Sequence, residues 1–340
     1  MQRALELARL GSGAVSPNPM VGCVIVHDGK IIGEGWHRKY GESHAEVNAI
    51  ETVNDKSQLR EATAYVNLEP CSHYGKTPPC ADLFIQLGVK KVVIATLDTN
   101  PLVAGKGAKK VREAGIEVVT GVLHEEGREL NKRFFTNMEL QRPYVILKWA
   151  QTADGFMARE NHESKWISNE YSRQRVHRWR AEEDAVLVGT NTAQYDNPHL
   201  NVRDWSGRNP VRVVIDRSLR LSDKLHLFDR SQPTICYNLK REETFTNLQY
   251  VRLVENDLLS QLLTDLNLRK IQSVIVEGGA QTLMHFMIAG LWDEARVFRS
   301  NVTFGNGIVA PAVKGTRVSY EEVMGDSLEV FRMAAAPSID

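Results

Sequence analysis

A chain that carries His44-Ala45-Glu46 and, further along, Pro70-Cys71 and Pro79-Cys80 can use these residues together only if its fold brings the segments to one point. One imidazole and two thiolates suit a borderline-soft ion such as Zn2+, and three protein ligands leave the fourth tetrahedral position open to water. His44 and Glu46 stand at the start of a predicted helix. Pro78-Pro79 marks a second helix start at Cys80, where the helix dipole and free amides favour a thiolate. Two helix starts facing one ion make a coherent site.

Bound zinc lowers the pKa of its water to roughly 7 and so supplies a nucleophile at neutral pH. Glu46, beside a ligand but not one itself, is the proton carrier of the His-x-Glu plus Pro-Cys-x-x-Cys signature of zinc deaminases. Here eight residues, not two, separate Cys71 from Cys80. Other readings exist for each residue. Ser43-x-x-Glu46 also matches a helix capping box. His73, between the cysteines, is a rival imidazole, and as a fourth ligand it would close the site into a structural one. Cys23 and Cys236 fall in apolar runs and read as buried small hydrophobes. His27 and His37 read as hairpin surface residues.

The 340 residues suffice for two domains. Basic and acidic residues number 42 each, so the formal charge is zero, which disfavours a nucleic-acid partner. The amphipathic start, residues 1–10, is not a signal peptide, and no run reaches the roughly 18 apolar residues of a membrane span. Four scattered cysteines make no disulfide framework. The cytoplasm is the expected compartment.

Strands are expected at residues 21–26, 31–35, 64–68, 91–95 and 116–120. With the first helix and others at 43–50, 81–87 and 107–114, the order is that of a three-layer α/β/α sandwich. Arg142-Pro143 marks the boundary between domains 1–142 and 143–340. The second domain reads as strands at 144–150, 185–188, 211–216, 234–238, 250–253, 273–277 and 295–301. Helices fall at 169–180 and on both sides of 273–277, and a loop follows 188. Residues 205–210 and the end from Gly315 read as least structured. Residues 274–279 form a buried strand running into Gly278-Gly279 before a helix, where bare amides can receive a phosphate; a tight turn without a ligand would look the same.

Glu69-Pro70-Cys71-Ser72-His73-x-Gly75-x-Thr77-Pro78-Pro79-Cys80, with His44-Ala45-Glu46 and Pro17-Asn18-Pro19-x-Val21-Gly22, resembles the deaminase half of the bifunctional riboflavin-biosynthesis deaminase–reductases. The resemblance implies a cytidine-deaminase-like fold that removes the 2-amino group of a phosphoribosylated diaminopyrimidinone. It also implies zinc on His44, Cys71 and Cys80, proton transfer by Glu46, and Asn18 at the substrate mouth. Asp154-Gly155, Ser164-Lys165-Trp166-Ile167, Arg180-Ala181, Asp196-Asn197-Pro198-x-Leu200-x-Val202-Arg203, Val214-Ile215-Asp216 and Val276-Glu277-Gly278-Gly279 are similar to that family's reductase domain. That domain is dihydrofolate-reductase-like and uses NADPH to reduce the ribosyl group to ribityl. By the same resemblance Ala150, Trp166, Thr192, Asp196, Gly279, Ala280, Gln281, Thr282, Leu283, Met284 and His285 would contact NADPH. Ser164, Arg180, Leu200, Arg203 and Glu277 would contact the pyrimidine ribosyl phosphate.

Arg217, just after Asp216, is a candidate receiver for the cofactor's 2′-phosphate. No residue stands out as the acid of the reduction step. Residues 297–310 depart from the family's Pro-Lys-containing glycine-rich stretch, and the tail after Pro311 shows no motif. Family members assemble into dimers or larger forms, so a homo-oligomer is expected. The rival readings are a base deaminase acting on nucleic acid, with the second domain as a binding platform, and a non-catalytic module with a structural zinc.

Overall fold

The computed structural model describes residues 1–72, 78–100, 104–163 and 167–333. The chain divides into two compact units, Met1–Gln141 and Arg142–Asp340. The first runs α1 (Gln2–Arg9), β1 (Gly22–His27), β2 (Lys30–Trp36), α2 (Ala45–Glu51), β3 (Thr63–Leu68), α3 (Cys80–Leu87), β4 (Lys91–Thr96), α4 (Lys106–Glu113), β5 (Glu117–Thr120), α5 (His124–Leu130) and α6 (Lys132–Leu140). Its five-stranded sheet has the order β2-β1-β3-β4-β5, with β1 antiparallel to both neighbours and β3, β4 and β5 parallel. Asp28-Gly29, both at positive φ, close the β1–β2 hairpin.

Strand alternation builds the layers of this unit. Cys23, Ile25, Ala64 and Val66 pack with Ala45, Ala49, Ala81 and Phe84 from α2 and α3, whereas Val24 faces Ala4 and Leu7 of α1 on the other side. These small alanines let the helices that carry His44 and Cys80 lie close to the sheet. Gly107 serves the same end at α4, because a Cβ there would stand 2.0 Å from the Pro70 carbonyl oxygen.

The second unit runs β6 (Tyr144–Gln151), β7 (Phe156–Ala158), α7 (Glu170–Glu182), β8 (Ala185–Gly189), α8 (Thr190–Asp196), β9 (Val211–Ile215), β10 (Thr234–Asn238), β11 (Glu243–Phe245), β12 (Leu248–Arg252), α9 (Leu258–Leu268), β13 (Ser273–Val276), α10 (Ala280–Ile288), β14 (Glu294–Arg299), β15 (Ile308–Val309), β16 (Gly315–Val323) and β17 (Asp326–Met333). Its ten-stranded sheet has the order β11-β12-β10-β9-β8-β13-β6-β14-β17-β16. Every pair from β12 to β14 is parallel. Val145, Leu147 and Trp149 of β6 pack under α9 and α10, while Tyr144 and Ile146 face Trp179 of α7.

Two expectations are corrected here. The stretch after residue 188, read as a loop, begins with α8. Its Thr, Asn and Tyr residues are weak helix formers, and tertiary contacts hold it: Thr190 Oγ1 donates to the Ile215 carbonyl at 2.7 Å, and Ala193 is fully buried. The end from Gly315, read as among the least structured parts, forms the β16–β17 hairpin, with β17 antiparallel to β14. Most of β16 is exposed, so it shows no alternation to read, and its two-residue turn is Met324-Gly325 rather than Asn-Gly.

Met324 sits at φ 48° with its side chain 70% exposed, in a conformation that costs a non-glycine residue roughly 1 kcal/mol and that asparagine adopts most readily. Met324→Asn therefore raises stability by up to about 1 kcal/mol, read as a higher urea midpoint; an unchanged or lower midpoint contradicts this account of the turn.

Candidate functional site

In the first unit His44 is the residue immediately before α2, and its side chain makes no capping bond, so the capping-box reading does not describe this helix start. Cys80 is the first residue of α3, and Cys71 lies in the segment after β3. His44 Nδ1 lies 3.6 Å from Cys71 Sγ and 3.4 Å from Cys80 Sγ. A tetrahedral zinc with ordinary Zn–S and Zn–N bonds has an N···S edge of about 3.6 Å, so the three donors already span such an ion. His73 lies outside the described residues.

Two further contacts hold this geometry. The Cys80 backbone N–H donates to Cys71 Sγ at 3.3 Å. The Glu69 carboxylate accepts from the backbone amides of Asp98 (3.1 Å), Gly105 (2.8 Å) and Ala108 (3.0 Å), which ties the Cys71 segment to the start of α4. Hydrogen bonding from Cys80, with His44 adding to it, outweighs burial and pulls the Cys71 thiol down to about 4, so it is a thiolate at neutral pH. Glu46 is buried, with its carboxyl in hydrogen-bonding contact with Cys80. Burial, then the Cys71 charge, pushes it up to about 7.

His37, read from sequence as a surface residue, is 2% exposed. Its Nδ1–H donates to the Ser43 carbonyl at 3.0 Å, leaving Nε2 to accept from Asn18 Nδ2 at 3.1 Å. Its ring lies edge-on to His44 at 5.6 Å. Asn18 is thus joined through His37 to the segment that carries His44. The signal was available in the sequence: a histidine immediately after β2, at the start of the loop leading to His44.

In the second unit β8 and β13 end at a cavity of about 930 Å3. Of the residues singled out from sequence, Ala150, Thr192, Asp196, Gly279, Ala280, Gln281, His285, Arg180, Leu200, Arg203 and Glu277 line it. Thr282, Leu283 and Met284 do not. Leu283 is fully buried in the core and Met284 is exposed. Thr282 fits under the backbone of Gly278, where a Cβ would come within 2.7 Å of it. Ser164 and Trp166 lie outside the described residues. Arg217 also lines the cavity, with its guanidinium paired to Glu255 at 2.9 Å.

At the cavity floor Arg180 grips Glu277 with two bonds, Nε to Oε1 at 2.7 Å and Nη2 to Oε2 at 2.8 Å, while Nη1 donates to the Asn201 carbonyl at 3.2 Å. Arg180 is thus fully engaged as the counter-charge of Glu277. Exposed Arg203 keeps its fork open except for Asn201 Oδ1 at 2.7 Å. Lys148, which sequence reasoning missed, places its ammonium 3.9 Å from Glu277 Oε2. Its signal is a lysine inside the apolar run of β6. Burial opposes the Glu277 charge, and Arg180 and Lys148 overcome it, holding the carboxyl at about 2. Burial pulls the Lys148 ammonium below its usual range.

The atypical segment after β14 is anchored by Asp154, whose carboxylate accepts from the amides of Phe304 (3.0 Å) and Gly305 (2.7 Å). β15 then pairs with β7, and Ile308 reaches the cavity.

Three donors spaced for zinc beside a buried glutamate, and a separate cavity with a charged floor at the strand ends of a parallel sheet, define a zinc-dependent deaminase fused to a reductase. Residues 1–96 match the cytidine and deoxycytidylate deaminase zinc-binding region, and residues 143–323 match the RibD C-terminal domain. The chain belongs to the RibD family, the bifunctional deaminase–reductases of riboflavin biosynthesis. It is 45% identical to the riboflavin biosynthesis protein RibD of Aquifex aeolicus over 315 residues, covering 91% of this chain and 88% of that one. The crystal structure of a diaminohydroxyphosphoribosylaminopyrimidine deaminase/5-amino-6-(5-phosphoribosylamino)uracil reductase from Thermotoga maritima superposes with a TM-score of 0.90 at 41% identity, covering 98% of this chain and 97% of that one. Acinetobacter baumannii RibD gives 0.89 at 34% identity, with 97% of each chain covered.

Glu277→Gln leaves Arg180 and Lys148 without their counter-charge and costs about 3–5 kcal/mol of stability at neutral pH. Because the folded carboxyl titrates at about 2 and an ordinary one at 4.5, its contribution is complete above 4.5 and is lost as pH falls toward 2. Urea midpoints of wild type and variant therefore converge between pH 5 and pH 2 (the window set by about 4.5 and about 2); a constant gap contradicts the assignment.

Proposed function

We propose that residues 1–142 hydrolyse the 2-amino group from 2,5-diamino-6-(5-phosphoribosylamino)pyrimidin-4(3H)-one, and that residues 143–340 reduce the ribosyl group of the product to ribityl with NADPH. The observation that carries the first half is the zinc-spaced trio of His44, Cys71 and Cys80 with Glu46 buried against it. When bound, zinc supplies a polarised water at neutral pH. Glu46 carries protons from that water to the ring nitrogen and the departing amine. Asn18, oriented by His37, meets the pyrimidine at the mouth of the site.

In the second half NADPH, when bound, supplies the hydride that the open-chain imine carbon of the sugar accepts. The chain's residues position the two reactants. Gly278 and Gly279 present bare amides at the start of α10, Arg203 offers its fork to the substrate phosphate, and Glu277 stays ionised beside the sugar. Ala150, Thr192, Asp196, Ala280, Gln281 and His285 line the remaining cofactor space. We also propose a homo-oligomer in the cytoplasm with a small-molecule substrate and no nucleic-acid partner. The balanced charge and four free cysteines support this reading. No described helix is long and apolar enough to cross a membrane.

Glu46→Gln lowers ammonia release by about 10²–10⁴-fold while the protein keeps its zinc and its NADPH oxidation on the deaminated substrate. Loss of zinc in that variant contradicts the proton-carrier role. Stripping zinc with a chelator abolishes ammonia release and spares NADPH oxidation; loss of both rates contradicts the division of labour.

A further inference from the structure

Neither reaction uses His199, His226 or Asp229, yet the second unit brings one ligand atom from each to within 4.8 Å of the other two. The construction is specific. Asn197 and Leu200, both at positive φ, form the turn after α8, and the buried Leu200 side chain anchors it while His199 faces outward. His226 opens a short 3-10 turn, His226–Phe228, and its backbone is held at both ends: its N–H donates to Asn197 Oδ1 at 2.8 Å, and its carbonyl accepts from Arg212 Nη1 at 2.7 Å. The Asn197 bond fixes one histidine segment against the other.

Asp229 follows that turn. Its Oδ1 accepts from Arg212 Nη1 at 2.8 Å and from the N–H and Oγ–H of Ser231 at 2.9 and 2.7 Å. These bonds all fall on Oδ1 and leave Oδ2 without a partner among the described residues. The two imidazoles stack with centroids 3.7 Å apart at 25°, and neither ring bonds to a described residue. Stacked rings aim their nitrogens side by side, so the two imidazoles and the carboxylate become a set of donors to one ion when the exposed His199 ring turns out of the stack.

We propose that His199, His226 and Asp229 form a second divalent-metal site of the Zn2+, Co2+ or Ni2+ class, completed by solvent, at the rim of the reductase cavity. The chemistry follows from the donors: two imidazoles and a carboxylate select borderline ions over Mg2+ or Ca2+. Lacking thiolates, this site fills after the His44, Cys71 and Cys80 site. The rotatable, exposed His199 closes the remaining distance. His199 lines the cavity between Pro198 and Leu200, so a bound ion stiffens the turn that follows Asp196. The proposal rests on neither enzymatic reading.

The test uses the full chain loaded with one equivalent of zinc and titrated calorimetrically with Zn2+, and in parallel with Co2+ followed by visible absorption. The expected result is a second, weaker equivalent, with a Co2+ spectrum that lacks thiolate charge transfer. Its affinity falls by at least ~10-fold in both His199→Ala and His226→Gln. An unchanged metal-free melting temperature and far-UV circular dichroism spectrum certify the fold of each variant. A single equivalent in the wild type, a second equivalent that survives both substitutions, or a Co2+ spectrum with thiolate charge transfer overturns the proposal.

Discussion

Parallel strand pairing is the constraint on which the rest depends. Strands that run the same way release the chain at one end of the sheet, and each helix that follows begins there, with its free amides toward the same space. In the first unit β3 releases Glu69 and Cys71 on that edge, and α3 begins with Cys80. In the second, β13 releases Glu277, Gly278 and Gly279, and β8 releases the start of α8. Both centres therefore arise from the same local event, a buried strand ending in a few polar or glycine residues before a helix. A one-residue slip in β3 or β13 would move these groups to the opposite face.

Buried charge is the second theme. Glu69, Glu277 and Arg212 are each withdrawn from water and each held by two or more partners. Such groups contribute little net stability compared with apolar residues of the same size. What they supply is position. Glu69 aligns the segment before Cys71 with α4, and Arg180 fixes the direction in which Glu277 faces the cavity. Arg212, 1% exposed, binds together the segments from His226 to Ser231.

Most of the architecture was legible because it is amphipathic or turn-marked. Asp28-Gly29 announces its hairpin, the Pro78-Pro79 pair announces α3, and the apolar runs of β6, β8 and β13 are buried on both faces. The zinc trio was legible because cysteine and histidine side chains of that spacing have few other uses. What escaped depends on tertiary contact. α8 is held by Thr190 and Ala193 against the sheet rather than by propensity, and β16 is paired but mostly exposed, so its sequence carries no period. His37 looks like any hairpin-end histidine until the loop from Ser43 folds over it. Lys148 acquires meaning only from Glu277, far away in the chain. The family resemblance assigned residues 279–285 as one block, whereas a helix with 3.6 residues per turn aims only part of each turn at the cavity, sending Leu283 into the core and Met284 to solvent.

The four thiols also divide the molecule chemically. Burial raises Cys23 well above its usual range and pushes Cys236 up to about 12, so both stay protonated inside apolar packing. Cys71 alone combines a thiolate with partial exposure. A thiol-directed electrophile therefore finds its thiolate target at Cys71 and not at Cys236 of the reductase unit. Zinc, when bound, would engage that sulfur and so double as its protecting group.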